Sequence, residues 1–530
     1  MTLGSDPNRR ELTLVMLTAI GITSLWFGLT WRYGFDLADE GYYWYGAQRV
    51  LRGEVPMRDF LSYDIGRYYW SAFFMRLIGD DGAFGARASA AMWQVLGSFV
   101  GVYICLMSLR QSGVARWVFA VLTASILTIW VWPYYKVYDH STSILVVAAL
   151  VLMLKSIRAS SWLFAGAVIG FAAIMGRNHG VYGMVAALLV ISLLLIKAPS
   201  PWALIGLCRY FLLGVLIGFS PTFFMMFTVN GFASAFIGSI VMLFQYGATN
   251  ISLPVPWPWD FKLQGIGVVL TVVKAFVGLG FVILLAFPLL GMLALRYQHF
   301  DLSNDSQKVC VAAVAAAIPY SHYAFSRADE THLALSIFPV LIGLLSFGGS
   351  MSGSRPLQVG FAMLATSLMM IGISQPSLSA WLFKTKFVKA DVGGQKIWMS
   401  SGTARLLRFA TAAISNQSTA PNNFLAVPNM TSLYAIYRAK VPIWEIYSLI
   451  PRDGKFEGRE IARLELSMPD TVIIWDYSLD GNPLFKYSRM HPLINEWITS
   501  RYLPIDSDVI PGNSDFKVYT LKKSLSRTDE

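Results

Sequence analysis

Charge is scarce in this sequence: Asp, Glu, Lys and Arg make up 14% of its 530 residues, where an ordinary soluble domain carries about 25%. Cysteine is scarcer still. Cys105, Cys208 and Cys310 lie far apart, each in or at the edge of an apolar stretch. No CxxC pair and no Cys/His cluster occurs, which argues against a disulfide framework or a thiolate zinc site. Internal repeats, low-complexity tracts and a Gly-rich nucleotide loop are also missing. The net charge of +11 would suit a nucleic-acid partner, but the Lys and Arg residues punctuate apolar runs. That placement fits membrane topology and anionic headgroups instead, with no nucleic acid.

What the chain has in quantity is hydrophobic residues, 55% of the total, gathered in long runs. About 18 apolar residues suffice to cross a ~30 Å hydrocarbon core. The expected fold is a polytopic α-helical membrane protein with about eleven transmembrane helices, over roughly 12–30, 86–108, 117–133, 141–157, 161–176, 180–196, 203–229, 265–295, 309–325, 333–349 and 357–375. The 265–295 stretch is long for one span and holds Lys274, so its first part is expected along the interface. The N-terminus mimics a signal peptide, with Arg9 and Arg10 before the apolar run Leu12–Leu29. That run exceeds a typical h-region and Thr30-Trp31-Arg32-Tyr33 is a poor cleavage site, so it reads as a retained first span. Arg110, Arg116, Lys155, Arg158, Lys197, Arg209, Arg296, Lys308 and Arg355 mark short links on one side. The positive-inside rule puts them in the cytoplasm with the N-terminus, and an odd span count puts the C-terminus outside. A bacterial cytoplasmic membrane is the expected location.

Two domains are expected: residues 1–378, the membrane part with a first outer loop at 31–85, and residues 379–530, a C-terminal α/β extracytoplasmic domain. In the second, Phe424–Val427, Val472–Trp475 and Val518–Leu521 read as short strands, with turn signals at Asn422-Asn423, Pro428-Asn429, Asp480-Gly481 and Pro511-Gly512.

The segment Phe35–Trp70 is the richest in chemistry. Asp36, Asp39, Glu40, Asp59 and Asp64 crowd it beside Arg58 and Arg67, and ionisable groups at a membrane site mark function by default. Tyr43, Ala47, Val50 and Leu51 recur at helical spacing, suggesting a helix in the interface plane. Its tyrosines and tryptophans read as an aromatic belt, and Asp36 or Asp39 also suits a helix cap. A second outer loop runs from Trp132 to Ser141. There Lys136 offers a point charge for phosphate, and Asp139, beside His140, either accepts from a sugar hydroxyl, holds a cation or caps the following span. Arg177-Asn178-His179 and Arg327-Ala328-Asp329-Glu330-Thr331-His332, with His322 nearby, are further outer clusters. Asp329 and His332, three apart, share a face of any helix that starts there. One such cluster offers too few ligands for a metal by itself. The stretch 230–262, with Gln245-Tyr246-Gly247 and Pro254 to Trp259, is expected to be a loop, either a flap or a Pro-braced turn.

Asp39-Glu40 after the first span, then Gly53, Pro56, Asp59-Phe60 and Tyr63 through Gly66-Arg67-Tyr68-Tyr69, resembles the GT-C superfamily of membrane glycosyltransferases. That group includes protein O-mannosyltransferases and the aminoarabinose transferases of lipid A. Asp139 and the Arg327–His332 cluster followed by Pro339 are similar as well, and the likeness covers roughly residues 12–375 in layout. The resemblance implies transfer of a sugar from a polyprenyl-phosphate donor to a glycan, lipid or protein acceptor among membrane lipids. It implies Asp39 as the base with Glu40 or Asp139 orienting the acceptor, and Arg67, Lys136 and Arg327 toward the phosphate. His140, Asp329 and His332 complete the expected substrate contacts. No organic cofactor is implied, and a divalent cation stays open. A transporter or flippase, or a polymerase or ligase of lipid-linked glycans, is the alternative. The charges cluster on outer loops rather than at mid-membrane, where a transporter would place them.

Overall fold

The computed structural model describes residues 9–197, 201–246, 250–260, 268–297, 303–417, 422–505 and 515–522. The chain forms two compact units. One gathers Met1–Thr30 and Arg87–Ser379, the other Trp31–Ala86 and Ala380–Glu530.

The first unit is helical, and the protein is an integral membrane protein by the length and apolarity of its helices. Among the described residues, 7 helices are long and apolar enough to cross a membrane, or up to 9 if each of two bent pairs counts as one span. The expected count of about eleven is reached only by adding shorter apolar helices, Gly113–Ile129, Ala159–Met175 and Phe232–Gln245. Both bends have a chemical cause. Glu330–Ser336 meets Phe338–Gly349 at 54° and Arg355–Ile371 meets Pro376–Leu382 at 78°, with Pro339 and Pro376 at the starts of the second helices. Proline lacks the N–H that would continue the preceding helix, and its ring crowds the carbonyl one turn back.

Two expectations change here. Nearly half of the supposed loop 230–262 is helix, Phe232–Tyr246, whose 15 residues fall short of the run length that marks a span. Gly247 lies outside the described residues. The Pro254–Trp259 segment is described as non-helical, with Trp257 and Trp259 stacked at 5.3 Å. The stretch expected to lie partly along the interface is one continuous helix, Val268–Tyr297, with Lys274 near its start and Pro288 inside it.

Glycine sets the closest packing in this unit. Ala159–Met175 lies against Pro201–Thr228 with Gly166 and Gly170 facing Gly214 and Gly218. A Cβ at Gly170 would sit 2.1 Å from the Val215 carbonyl oxygen, and one at Gly214 would sit 2.0 Å from that of Leu163. The two G-x-x-x-G pairs let the backbones touch, a means of helix association that needs no hydrophobic driving force.

The second unit contains a four-stranded sheet in the order Phe424–Val427, Thr471–Trp475, Phe516–Leu521, Tyr502–Ile505. The first pair is parallel and the others antiparallel. Val472 to Ile474 are buried and apolar, as expected of a central strand covered on both faces. A hairpin pairs Phe387–Val392 with Gln395–Ser400. Its turn is Gly393-Gly394, both at positive φ, the conformation that a two-residue hairpin turn demands.

Residues 31–86 are woven into this unit. Gly34 N–H donates to the Trp398 carbonyl at 2.8 Å and Trp398 N–H to that of Arg32 at 2.7 Å, so the segment after the first span extends the hairpin edge. The expected helix is present as Asp39–Leu51, but it does not lie with one face exposed. Tyr42, Tyr43, Trp44, Tyr45, Ala47 and Gln48 are all buried. The aromatics of this helix are packing groups within the unit rather than an exposed belt, while Tyr69 stays exposed. Gly41 has Ser432 so close that a Cβ would come within 2.1 Å of its backbone nitrogen. Ser432 N–H donates to the Leu37 carbonyl at 2.9 Å, Gln48 Nε2 to the Ala435 carbonyl at 3.1 Å, and Trp444 Nε1 to the Met57 carbonyl at 3.1 Å.

Candidate functional site

In the second unit the acids after the first span turn about one helix start. Asp36 Oδ1 accepts from the backbone N–H groups of Ala38 and Asp39 at 2.7 and 2.8 Å. The Asp39 N–H is an otherwise unsatisfied donor of the helix Asp39–Leu51, so Asp36, two residues before the N-cap position held by Ala38, does the capping. That leaves Asp39 to other partners. Its Oδ1 accepts from the Tyr447 hydroxyl at 2.8 Å, with the Tyr63 hydroxyl at 3.5 Å. The Tyr42 ring packs edge-on against Tyr63 at 4.6 Å and lies 5.0 Å from Tyr447. Glu40, 6% exposed, turns back so that its Oε2 accepts from Asp36 N–H at 3.3 Å. Arg67, 4% exposed, stands over the Tyr63 ring at 4.8 Å in the helix Ile65–Ile78. Asp39, Tyr63 and Arg67 therefore share one aromatic wall.

Burial raises the pKa of Asp36 from 3.8 to about 7, and the neighbouring Asp39 pushes it the same way. The Asp36 carboxyl is neutral in both states below pH about 4, where its contribution to stability is fully present, and between about 4 and 7 only the folded chain keeps the proton. That contribution is lost as pH rises through about 7. Asp36→Asn keeps the Oδ1 acceptor and cannot ionise. Its unfolding midpoint, measured on the full chain, should exceed wild type by a margin that is small near pH 4 and grows up to pH 8. An equal difference at both pH values would remove this titration.

Two further acids of 31–86, Asp59 and Glu54, are tied structurally. Asp59 makes a side-on pair with Arg58, both bonds at 2.8 Å, and accepts from Val55 N–H. Glu54 is held by Arg49 and, at 3.3 Å, by Lys440.

In the first unit, Asp139 and His140 lie in the first turn of the helix Val137–Lys155, preceded by a short turn that carries Lys136. Lys136 Nζ is 5.9 Å from the Tyr135 ring. Asp139 is 2% exposed and His179 fully buried. His179 Nε2 lies 3.0 Å from Asp139 Oδ1, and its Nδ1 lies 2.7 Å from the Tyr320 hydroxyl. One neutral tautomer satisfies the set: Nε2–H donates to the carboxylate, and Nδ1 accepts from the tyrosine. Three helices, Val137–Lys155, Arg177–Lys197 and Asp305–Ser326, are joined by this chain. Tyr182 extends it, with its ring 5.0 Å from Tyr320 and its hydroxyl 3.1 Å from His322 Nδ1. His140 packs instead against Phe338 at 5.2 Å.

The cluster Arg327–His332 closes on itself. Asp329 is the N-cap of Glu330–Ser336 and accepts from His332 N–H at 2.9 Å. His332 Nδ1 meets the same oxygen at 2.7 Å, and Arg327 Nε donates to the other at 2.8 Å. Arg327 also donates to the Ile251 carbonyl at 3.0 Å, which anchors the segment before Trp257. The Tyr323 ring lies 6.4 Å from His179 and 5.9 Å from His332. Among the described residues, no three His, Cys, Asp or Glu side chains gather as a metal site.

Two partners escape sequence reasoning. Tyr447 stands 408 positions from Asp39 in a stretch without a motif. Tyr320 sits in an apolar, alanine-rich helix, where only its polar tip hinted at a buried bond.

No protein-family model matches the chain, and no curated protein matches it in sequence. Solved structures do match. ArnT from Cupriavidus metallidurans, crystallised with undecaprenyl phosphate, aligns with a TM-score of 0.52 at 12% identity, over 98% of this chain and 99% of that one. The oligosaccharyltransferase of Archaeoglobus fulgidus, tethered to an acceptor peptide, aligns with a TM-score of 0.44 at 11% identity, over 98% of this chain and 74% of that one. The near-complete mutual coverage with ArnT shows that the chain has the fold of the GT-C membrane glycosyltransferases.

Proposed function

We propose that this chain is a glycosyltransferase that moves a sugar from a polyprenyl-phosphate donor to a hydroxyl acceptor, a glycan, lipid or protein, with Asp39 as general base. The observation that carries the reading is the Asp39 carboxylate held by the Tyr447 hydroxyl at 2.8 Å in a chain with the fold of ArnT. The ArnT structure contains undecaprenyl phosphate, which supports the donor class. In the step itself the acceptor oxygen attacks the anomeric carbon as its proton passes to the Asp39 carboxylate. The bond from that carbon to the phosphate oxygen breaks, and polyprenyl phosphate leaves with the electron pair. A base must reach the proton it takes, and fixed positive charge must meet the leaving phosphate. Arg67, beside Tyr63, is the cation of the second unit suited to that task. Lys136 and Arg327 are candidate phosphate contacts in the membrane unit, where His140, Asp329 and His332 are candidate substrate contacts, and either Glu40 or Asp139 is the acid that orients the acceptor. Incubating the purified chain with a polyprenyl-phosphate sugar tests the reading through release of polyprenyl phosphate. Flux of the lipid-linked sugar across vesicles without such release would replace it with a transporter.

The same reading sets a topology. Residues 31–86 and 380–530 fold as one unit and so occupy one side of the membrane. With the basic links in the cytoplasm, that side is extracytoplasmic, and the N-terminus is cytoplasmic. Reporters fused at the C-terminus should be active only if they work outside the cytoplasm. Activity of a cytoplasmic reporter there would reverse the orientation.

A further inference from the structure

The second unit holds a cavity of about 560 Å³ lined by Arg58, Lys440, Arg463, Asn422, Pro442 and Leu466 among others. Asp39, Glu40 and Arg67 do not line it, and the transfer reaction makes no use of it. Its volume is within the ~300–1,000 Å³ of ordinary small-ligand sites. Its chemistry has two parts. Pro442 and the exposed Leu466 offer an apolar wall, while Arg58, Lys440, Arg463 and the Asn422 amide offer donors.

The cations exceed the carboxylates around them. Glu54, the partner of Lys440, is already held by Arg49 through two bonds. Glu460, the partner of Arg463, has its Oε2 occupied by the backbone N–H groups of Trp444 and Glu445 at 2.6 and 3.2 Å, leaving Oε1 for Arg463 at 3.2 Å. Asp59 is the one carboxylate of the lining, and Arg58 occupies both its oxygens. Within the lining itself, Arg58, Lys440 and Arg463 face the single carboxylate Asp59. The Lys440 and Arg463 side chains are 68% and 50% exposed, so both can reach an incoming group. A ligand with one oxyanion, several hydroxyls and an apolar C–H face matches these walls.

We propose that this cavity binds an acidic saccharide, its phosphate or carboxylate between Lys440 and Arg463 and a hydroxyl on Asn422. The proposal does not depend on the transferase reading, because binding is measured without donor or turnover. Calorimetric titration of the full chain in detergent, with glucose 6-phosphate, glucuronate and glucose as probes, tests it. The two acidic sugars should bind and glucose should not, and the tighter of the two identifies the oxyanion. Lys440→Gln and Arg463→Gln should each weaken binding about tenfold, the size of one charge-assisted contact. Unfolding midpoints near wild type would show that the exposed substitutions leave the fold intact. Equal binding of glucose, binding of neither acidic sugar, or affinities unchanged in both folded variants would overturn the assignment.

Discussion

Asp39→Asn should lower the rate of sugar transfer from a polyprenyl-phosphate donor by ~10²–10⁴, the usual contribution of a positioned general base. The substitution preserves size and shape. Its Oδ1 still accepts from the Tyr447 hydroxyl, so the contact at 2.8 Å survives and the fold with it. Only the capacity to take the acceptor proton is lost. Donor binding, read by titration with the polyprenyl-phosphate sugar, should stay near wild type, placing the loss in kcat. Glu40→Gln should cost less, because Glu40 is turned toward Asp36 N–H and its proposed part is orientation. Tyr447→Phe should also cost less than Asp39→Asn, since it removes the group that aims the base and leaves the base itself. Turnover of Asp39→Asn within a few-fold of wild type would assign Asp39 a structural role and move the base to Asp36 or Asp139.

Asp139→Ala should destabilise the membrane unit by about 3 kcal/mol, the upper range for stranding a buried polar partner. The residue left behind is His179, fully buried, whose Nε2 has Asp139 Oδ1 at 3.0 Å. Water is remote from it, so no solvent replaces the lost acceptor. Asp139→Asn retains an oxygen at the same place and should cost much less. Tyr320→Phe removes the contact at Nδ1 and should fall between the two. Detergent unfolding midpoints of the three variants test this order. A double substitution of Asp139 and His179 by Ala should cost less than the sum of the single ones, because the second removes a group that the first had stranded. Strict additivity, or a loss below ~1 kcal/mol for Asp139→Ala, would mean that the pair contributes little. If Asp139 also orients the acceptor, the well-folded Asp139→Asn variant should still lose transfer activity.

What the sequence determined by itself was whatever depends on neighbours along the chain. Hydropathy is summed over a window, so the long spans are legible, and so are the shorter helices Gly113–Ile129 and Ala159–Met175, whereas Phe232–Gln245 was read as loop. The strands Phe424–Val427, Thr471–Trp475 and Phe516–Leu521 were legible as short β-rich runs bounded by turn residues. Tyr502–Ile505, holding Pro504 at the sheet edge, was not. The helix at Asp39–Leu51 showed in its spacing, but its burial did not, because the surfaces that cover it arrive from far along the chain. Tertiary structure alone decided that Asp36 caps the helix and Asp39 meets Tyr447. It alone decided that Asp139 meets His179, 40 positions on, and that His179 meets Tyr320, 141 further. A buried polar group must find its partner wherever the fold brings one, and hydrogen bonds over such separations leave no periodic trace in sequence.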